Sequence, residues 1–359
     1  MRLSPARGSW RGVTDPVERF KAYFGLWYGH WARGEPEPMR ELAQLFLAEA
    51  EGRREAAVAH RIAGQTAWYL GDYHAVHEHQ QRAIALYDRT RDGDFAARFG
   101  HDPLAMAESY DALALWALGQ VEEASRLAER ALADAEAIGH VPTTMVVRAN
   151  RGLLGLHRRD PQAVAAEAAV MGGMLSRYDL NPLFAGDVTF KRGWVAWRRG
   201  GGPSALADMR QGIAFGDAAG YLTYQPIRIA ALAQAEADAG ESAVGLQRLD
   251  YALAELQRTD LRWYEAEMHR IRGEILLKRD PADTAAAEQS LQTAIAIAQS
   301  QKARSFELRA ALSLAKLYRA ANRDPDAHAV LAPAIEGFPP TRQFREFAEA
   351  QALLSVLSP

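Results

Sequence analysis

The 359-residue sequence predicts an all-α solenoid of about eight helical hairpins with a closing helix at its C-terminal end. Three observations carry the prediction. Apolar side chains recur at three- and four-residue steps through most of the chain. Turn signals stand at Gly34, Gly71, Gly119, Arg159, Gly200, Gly240, Asp280 and Asn322, separated by 37 to 48 residues. Seven residues before those turns stand Trp27, Gly64, Ala112, Gly152, Gly193, Ala233, Gly273 and Ala315, and all but the first are Gly or Ala. Small residues there let two antiparallel helices approach closely, and a period near forty with two helices per period marks a repeat array.

Residues 1–15, rich in Arg, Gly, Pro and Ser, read as a loose arm ahead of one repeat domain over 16–358. The first hairpin, from Pro16 to Gly52, is rich in aromatic residues and carries Trp27 where a small residue is expected. That excess suits a terminal repeat, or a face that a preceding domain would cover. The second, Arg61 to Asp88, shows the unit plainly. Ile62, Gln65, Ala67, Trp68 and Leu70 step along one helix face, Gly71 closes the helix, Asp72 caps the next, and Val76, Ala83, Ile84 and Leu86 continue it. A longer polar connection follows, from Asp88 to Pro103. Asp102-Pro103 opens the third hairpin, a cap followed by proline at the first helical position. The fourth turns at Arg159-Asp160-Pro161 and the fifth through Gly200-Gly201-Gly202-Pro203; the sixth turns at Gly240, the seventh at Asp280 with two extra residues, and the eighth at Asn322. A helix from Arg342 to Leu357 caps the last apolar face.

Composition narrows the function classes. The absence of cysteine removes disulfides, thiolate metal sites and thiol nucleophiles, and suits a reducing cytoplasm. With 42 Lys plus Arg against 45 Asp plus Glu, the net charge of −3 gives no reason to expect a polyanion, so nucleic acid is not an expected partner. No apolar run approaches the roughly 18 residues that cross a bilayer, and no membrane partner is expected. Arg2, Arg7 and Arg11 lack the apolar core of a signal peptide behind them. No phosphate-binding loop, nucleophile constellation or cofactor motif stands out, so the chain is expected not to be an enzyme and to need no cofactor.

The stretches GHDPLAMAESYDALALWALGQVEEASRLAERALADAEAIGH, MRQGIAFGDAAG, WYEAEMHRIRGEILL and ARSFELRAALSLAKLYRAANRDPDAHAVLAPAIEGF resemble, in that order, the C-terminal repeats of certain bacterial multidomain regulators. Their hairpins are similar to tetratricopeptide repeats, slightly lengthened. In that family a class III adenylate/guanylate cyclase domain and a STAND-type ATPase domain precede the repeats. The resemblance runs roughly from Pro16 to Phe338, with His101 where the family's turn carries Gln. It implies a right-handed superhelix with a concave groove, and a sensory or regulatory module binding a protein segment or small effector there. Two rivals stand beside that expectation: part of a cyclase or ATPase whose catalytic domains this chain lacks, or a dimerisation scaffold with the chain as a homodimer.

Trp31, Trp68, Trp116 and Trp197 each stand three residues before a turn. In the resembling arrays this part of the first helix faces the concave groove, which makes the four indoles candidate ligand contacts; otherwise they fill space between hairpins. Glu267, Arg270, Glu274 and Lys278 share one helical stripe, either a recognition patch or an intrahelical ladder. His74, His77 and His79 lack a further ligand that would make a metal site of them. The Gly200–Pro203 run lacks the strand and the Lys-Ser/Thr of a phosphate cradle. Arg192, Arg198 and Arg199 beside Trp194 and Trp197 form a local basic-aromatic patch.

Overall fold

The computed structural model describes residues 15–357. The expected N-terminal arm, Asp15 excepted, and the last residue of the expected repeat domain lie outside them. Among the described residues the chain forms eight helical hairpins and a closing helix. The hairpins are α1 (Pro16–Arg33) with α2 (Pro36–Ala50), and α3 (Ala56–Leu70) with α4 (Tyr73–Leu86). Two short helices follow, α5 (Arg89–Asp92) and α6 (Phe95–Arg98). The array resumes with α7 (Pro103–Ala117) and α8 (Val121–Ile138), α9 (Val141–Arg158) and α10 (Pro161–Leu175), α11 (Leu183–Arg198) and α12 (Pro203–Ala218), then α13 (Gln225–Asp238) and α14 (Ser242–Thr259). It ends with α15 (Glu265–Arg279) and α16 (Thr284–Ser300), α17 (Arg304–Ala320) and α18 (Asp324–Ile335), and the closing α19 (Arg345–Leu357).

Local chemistry sets most of these boundaries. The side chains of Asp72, Asp102 and Asp160 accept from the backbone N–H groups of Ala75 (3.1 Å), Ala105 (3.0 Å) and Ala163 (3.0 Å), satisfying donors that a helix start otherwise leaves bare. Seven of the eight expected turn residues adopt the left-handed conformation; Gly71, at φ +77°, is typical, and Arg159 and Asn322 do so without being glycine. Asp280 is the exception, with extended backbone. Its carboxylate accepts from Ala282 N at 3.0 Å and the two extra residues make a separate turn there. The small residues before the turns also work as expected. A Cβ on Gly193 would meet the carbonyl of Ala205 at 2.7 Å, and one on Gly273 would meet Leu291 at 2.8 Å, both on the second helix of the same hairpin. Gly152 instead makes room for Lys191 of the next hairpin.

The polar connection after α4 is more structured than its composition suggests. Phe95 and Phe99 are buried, Arg54 and Arg98 lie over the Phe95 ring, and Phe99 reaches Phe24 and Phe46 of the first hairpin. This segment wedges the first two hairpins together.

The main apolar core runs from Phe20 to Leu357, with two small clusters beside it, around Val147 and around Met145 and Met171. The array also closes on itself. Leu222 N donates to Ala32 O (2.9 Å), Arg262 N to Tyr69 O (2.8 Å), and Ser305 Oγ to Trp116 O (2.5 Å). Each bond links the end of a first helix to the entry or first turn of a hairpin five places later, about 190 residues on in each case. Successive turns of the superhelix therefore meet along a hydrogen-bonded seam. Part of the aromatic surplus of α1 belongs to this seam: Trp31 packs edge-on against Tyr221 and Tyr224, and its indole N–H donates to Tyr69 Oη at 2.7 Å, whereas Phe20 and Tyr23 pack on Phe46 of α2. Trp27, one turn earlier on α1, donates to Thr66 Oγ1 at 2.9 Å and is buried. No helix among the described residues is long and apolar enough to cross a membrane.

Candidate functional site

Three of the four tryptophans before the turns, Trp31, Trp68 and Trp116, lie in the seam. Trp68 and Trp116 are fully buried. Trp68 lies 5.4 Å from Trp263, and Trp116 stacks on His157 at 4.8 Å. Neither offers surface to a ligand in a groove, contrary to the expectation for that stripe. The physical reason is closure: the first three hairpins have partners five places on, and an indole supplies the bulk that fills the space between two superhelical turns. Trp31 is half-buried there. Trp197, on the fifth hairpin, has no such partner among the described hairpins and stays half-buried beside Trp194, with the Arg198 guanidinium 5.4 Å from its ring.

The charged stripe on α15 is also internal. Arg270 is buried and makes a bidentate pair with Glu267, both bonds 2.9 Å, while its remaining nitrogen pairs with Glu274. Arg159 reaches Glu267 (3.1 Å) and Glu346 (3.3 Å), and Arg309 reaches Glu346 (2.7 Å). The result is a network joining α9, α15, α17 and α19. Burial pushes the Glu267 carboxyl up, but Arg270, Arg309 and Arg159 more than offset it and hold the group well below the usual carboxylate range. Lys278 leaves the stripe and pairs with Asp238 at 2.7 Å. Arg270 and Glu274, expected as contacts of a partner, thus bind each other inside the fold, with only the Glu274 side chain 37% exposed.

Of the three clustered histidines, His77 pairs with Asp111 (2.7 Å) and His79 meets His60 (3.0 Å). His157 is the histidine the sequence reading passed over. Its ring is fully buried, with five aromatic rings centred within 6.0 Å: Trp68, Trp116, Trp263, Tyr264 and Phe306. Neither ring nitrogen has a hydrogen-bond partner. Burial, with help from the Arg309 charge, pushes its pKa down to about 3.

Among the openings of the described residues, two are lined mainly by apolar and aromatic side chains close to the seam. One is a groove of about 560 Å³ bounded by α13, α14 and the end of α1. Its walls are mostly apolar, with Ile229, Val244, Tyr251 and Leu222 at its surface. Arg33, Arg248 and Arg258 line it with Asp217 and Glu255. Because Arg33 and Gly34 belong to the first hairpin and Leu222 to the entry of the sixth, the groove straddles the seam. A sequence signal for it existed: Val244 and Tyr251 stand seven residues apart on α14, a face opposite the buried Leu246, Leu249, Leu253 and Leu256. The second opening is a cavity of about 200 Å³ on the inner wall, lined by first helices of the first five hairpins. Nothing in the local sequence announces it, since its lining comes together only through the curvature.

No family model matches the chain, and no curated protein matches it. Among solved structures it is similar to the crystal structure of yeast Tom70, with 13% sequence identity and a TM-score of 0.43. The match covers 96% of this chain and 64% of that one, so the chain spans less than two thirds of that protein's length.

Proposed function

We propose that this chain is a non-catalytic helical-repeat module that binds a segment of a partner protein in the groove between α13, α14 and the end of α1. The supporting observation is Tyr251, 70% exposed over an apolar trough with Val244 and Leu222 beside it. An aromatic ring left in water at such a place is the kind of anchor that recognition surfaces use, because it adds large contact area at little entropy cost. The rim favours an apolar segment flanked by acidic residues. Arg33 and Arg258 are now held by Glu35 and Glu255, exposed carboxylates close by in sequence. Surface pairs of that kind contribute about 0–1 kcal/mol, so an incoming carboxylate replaces them at small cost. An occupant touching both Arg33 and Leu222 bridges the seam and so bears on the closure of the whole superhelix. The resemblance of the repeats to those of bacterial regulators is what suggests a place for this event in signalling to an attached domain.

The test is a displayed random-peptide library selected against the wild-type chain and counter-selected against a Tyr251→Ala/Val244→Asp variant. Expected are apolar peptides with acidic flanks whose affinity, measured by titration, falls at least about tenfold in the variant. Selection of no peptide, or of peptides indifferent to the variant, defeats the reading.

A further inference from the structure

The inner cavity holds an uncompensated charge. Arg61 lines it and is 1% exposed, yet its Nε and Nη2 have no hydrogen-bond partner. Its one attractive contact of note is with the ring of Phe24, 5.1 Å from the guanidinium carbon. Gln65, one turn further along α3, is 2% exposed and its Oε1 is also unpartnered. No carboxylate among the described residues lies within ion-pair distance of Arg61. Asp102, whose field reaches it, is already committed to the Tyr87 hydroxyl (2.6 Å) and to Ala105 N (3.0 Å). Asp179 lines the cavity too, but stands exposed in the connection before α11. His101, beside Arg61, is neutral: burial, with the arginine's charge added, pushes it down to about 3.

Such a residue is out of character for this protein. On Arg270, Arg248 and Arg210 the same pair of nitrogens, Nε and Nη2, is occupied by a glutamate. A buried guanidinium without an anion is strongly unfavourable, and the fork formed by those two nitrogens matches the two oxygens of a carboxylate. Burial pushes the Arg61 guanidinium down to about 10, which leaves it charged at neutral pH. Apart from Gln65, His101, Asn150, Asp179 and Asn181 the rest of the lining is apolar and aromatic, with Phe24, Tyr28, Trp31 and Phe184 facing the same space. A cavity of about 200 Å³ holds a small molecule and excludes a peptide helix.

We infer that the inner wall is a second binding site, separate from the groove at Tyr251, for a small organic monocarboxylic acid with an aromatic or aliphatic body. Its carboxylate pairs with Arg61 and its body lies among the aromatic side chains of α1 and α11. Because the lining draws on five successive hairpins, occupancy ties them together and stabilises one curvature.

The probes are phenylacetate and hexanoate, each compared with its primary amide, and inorganic phosphate, by calorimetric titration and thermal unfolding of the full chain. Both acids are expected to bind and raise Tm, with the amides at least about tenfold weaker and phosphate weaker still. Arg61→Met is expected to abolish acid binding and, without ligand, to match or exceed the wild-type Tm, since it removes an unpaired buried charge. A merely structural arginine would instead leave the variant less stable. Ala149→Phe, which fills the cavity and keeps the charge, is expected to abolish binding too. Should Arg61→Met not fold, Arg61→Lys serves, with acid affinity expected to fall about tenfold as the fork is lost. Equal binding of acids and amides, acid binding unmoved by these variants, no acid bound at millimolar concentration, or phosphate binding tightest would each overturn the assignment.

Discussion

Replacing His157 by phenylalanine should make this protein more resistant to mild acid while changing little at neutral pH. In the unfolded chain the imidazole takes up its proton near the ordinary value of 6.5, whereas in the fold it does so only near 3. Between those values the unfolded state binds more protons, so stability is full above the unfolded pKa and declines as pH falls toward the folded one. At about 1.4 kcal/mol per pH unit, the wild type at pH 5 has lost about 2 kcal/mol on this account alone. Phenylalanine has no such term. It keeps the stacking on Trp116 at 4.8 Å and removes two buried nitrogens that have no partner. The assay is urea unfolding at pH 7 and pH 5, followed by far-ultraviolet circular dichroism and by tryptophan fluorescence. His60, His101 and His269 are also held down by burial, but they are present in both proteins and cancel in the comparison. A stability difference between variant and wild type that stays the same at the two pH values, to within about 0.5 kcal/mol, would refute the reasoning.

Two further outcomes follow from the packing. Glu267→Gln removes the carboxylate that meets Arg270, Arg159 and Arg309, and should destabilise by about 3 kcal/mol at pH 7, because it leaves buried guanidinium groups partly unpaired. Since the folded carboxyl titrates below the unfolded one, that difference should shrink as pH drops below the ordinary carboxylate range; a loss under about 1 kcal/mol at pH 7 counts against the network. Gly71→Ala and Gly139→Ala form a matched pair for the seam, since both sites have φ near +70°. A methyl at 139 meets nothing and should cost about 1–2 kcal/mol, whereas one at 71 presses on Gln301 across the seam and should cost measurably more by chemical denaturation. Equal losses would mean that the closure contact is too soft to matter.

The hairpins were legible from sequence because everything that defines them is local. Periodicity, a capping aspartate, a left-handed turn residue and a small residue seven places earlier all act within one repeat, as Gly64, Gly71 and Asp72 do around one turn. Asp280 shows the limit: an acidic side chain can end a helix by bonding ahead to Ala282, with no left-handed residue needed. The tryptophans mark a deeper limit. Their regular spacing was visible, and three of the four share the seam while Trp197 does not, because spacing along one helix cannot say whether its environment is water, ligand or another part of the chain.

By itself the sequence determined a stack of about eight like hairpins, where each one bends, and which stripe of each helix is apolar. Curvature was decided only in three dimensions, because it sums small rotations over five repeats before any contact reports on it. That sum brings Ala32 to Leu222 and Trp116 to Ser305 across about 190 residues, turns a row of indoles into filling, and leaves Arg61 facing a cavity without an anion. Tyr251 is the converse case, an ordinary helical tyrosine exposed beside a groove to which the first hairpin adds Arg33 and Gly34 by returning to meet the sixth.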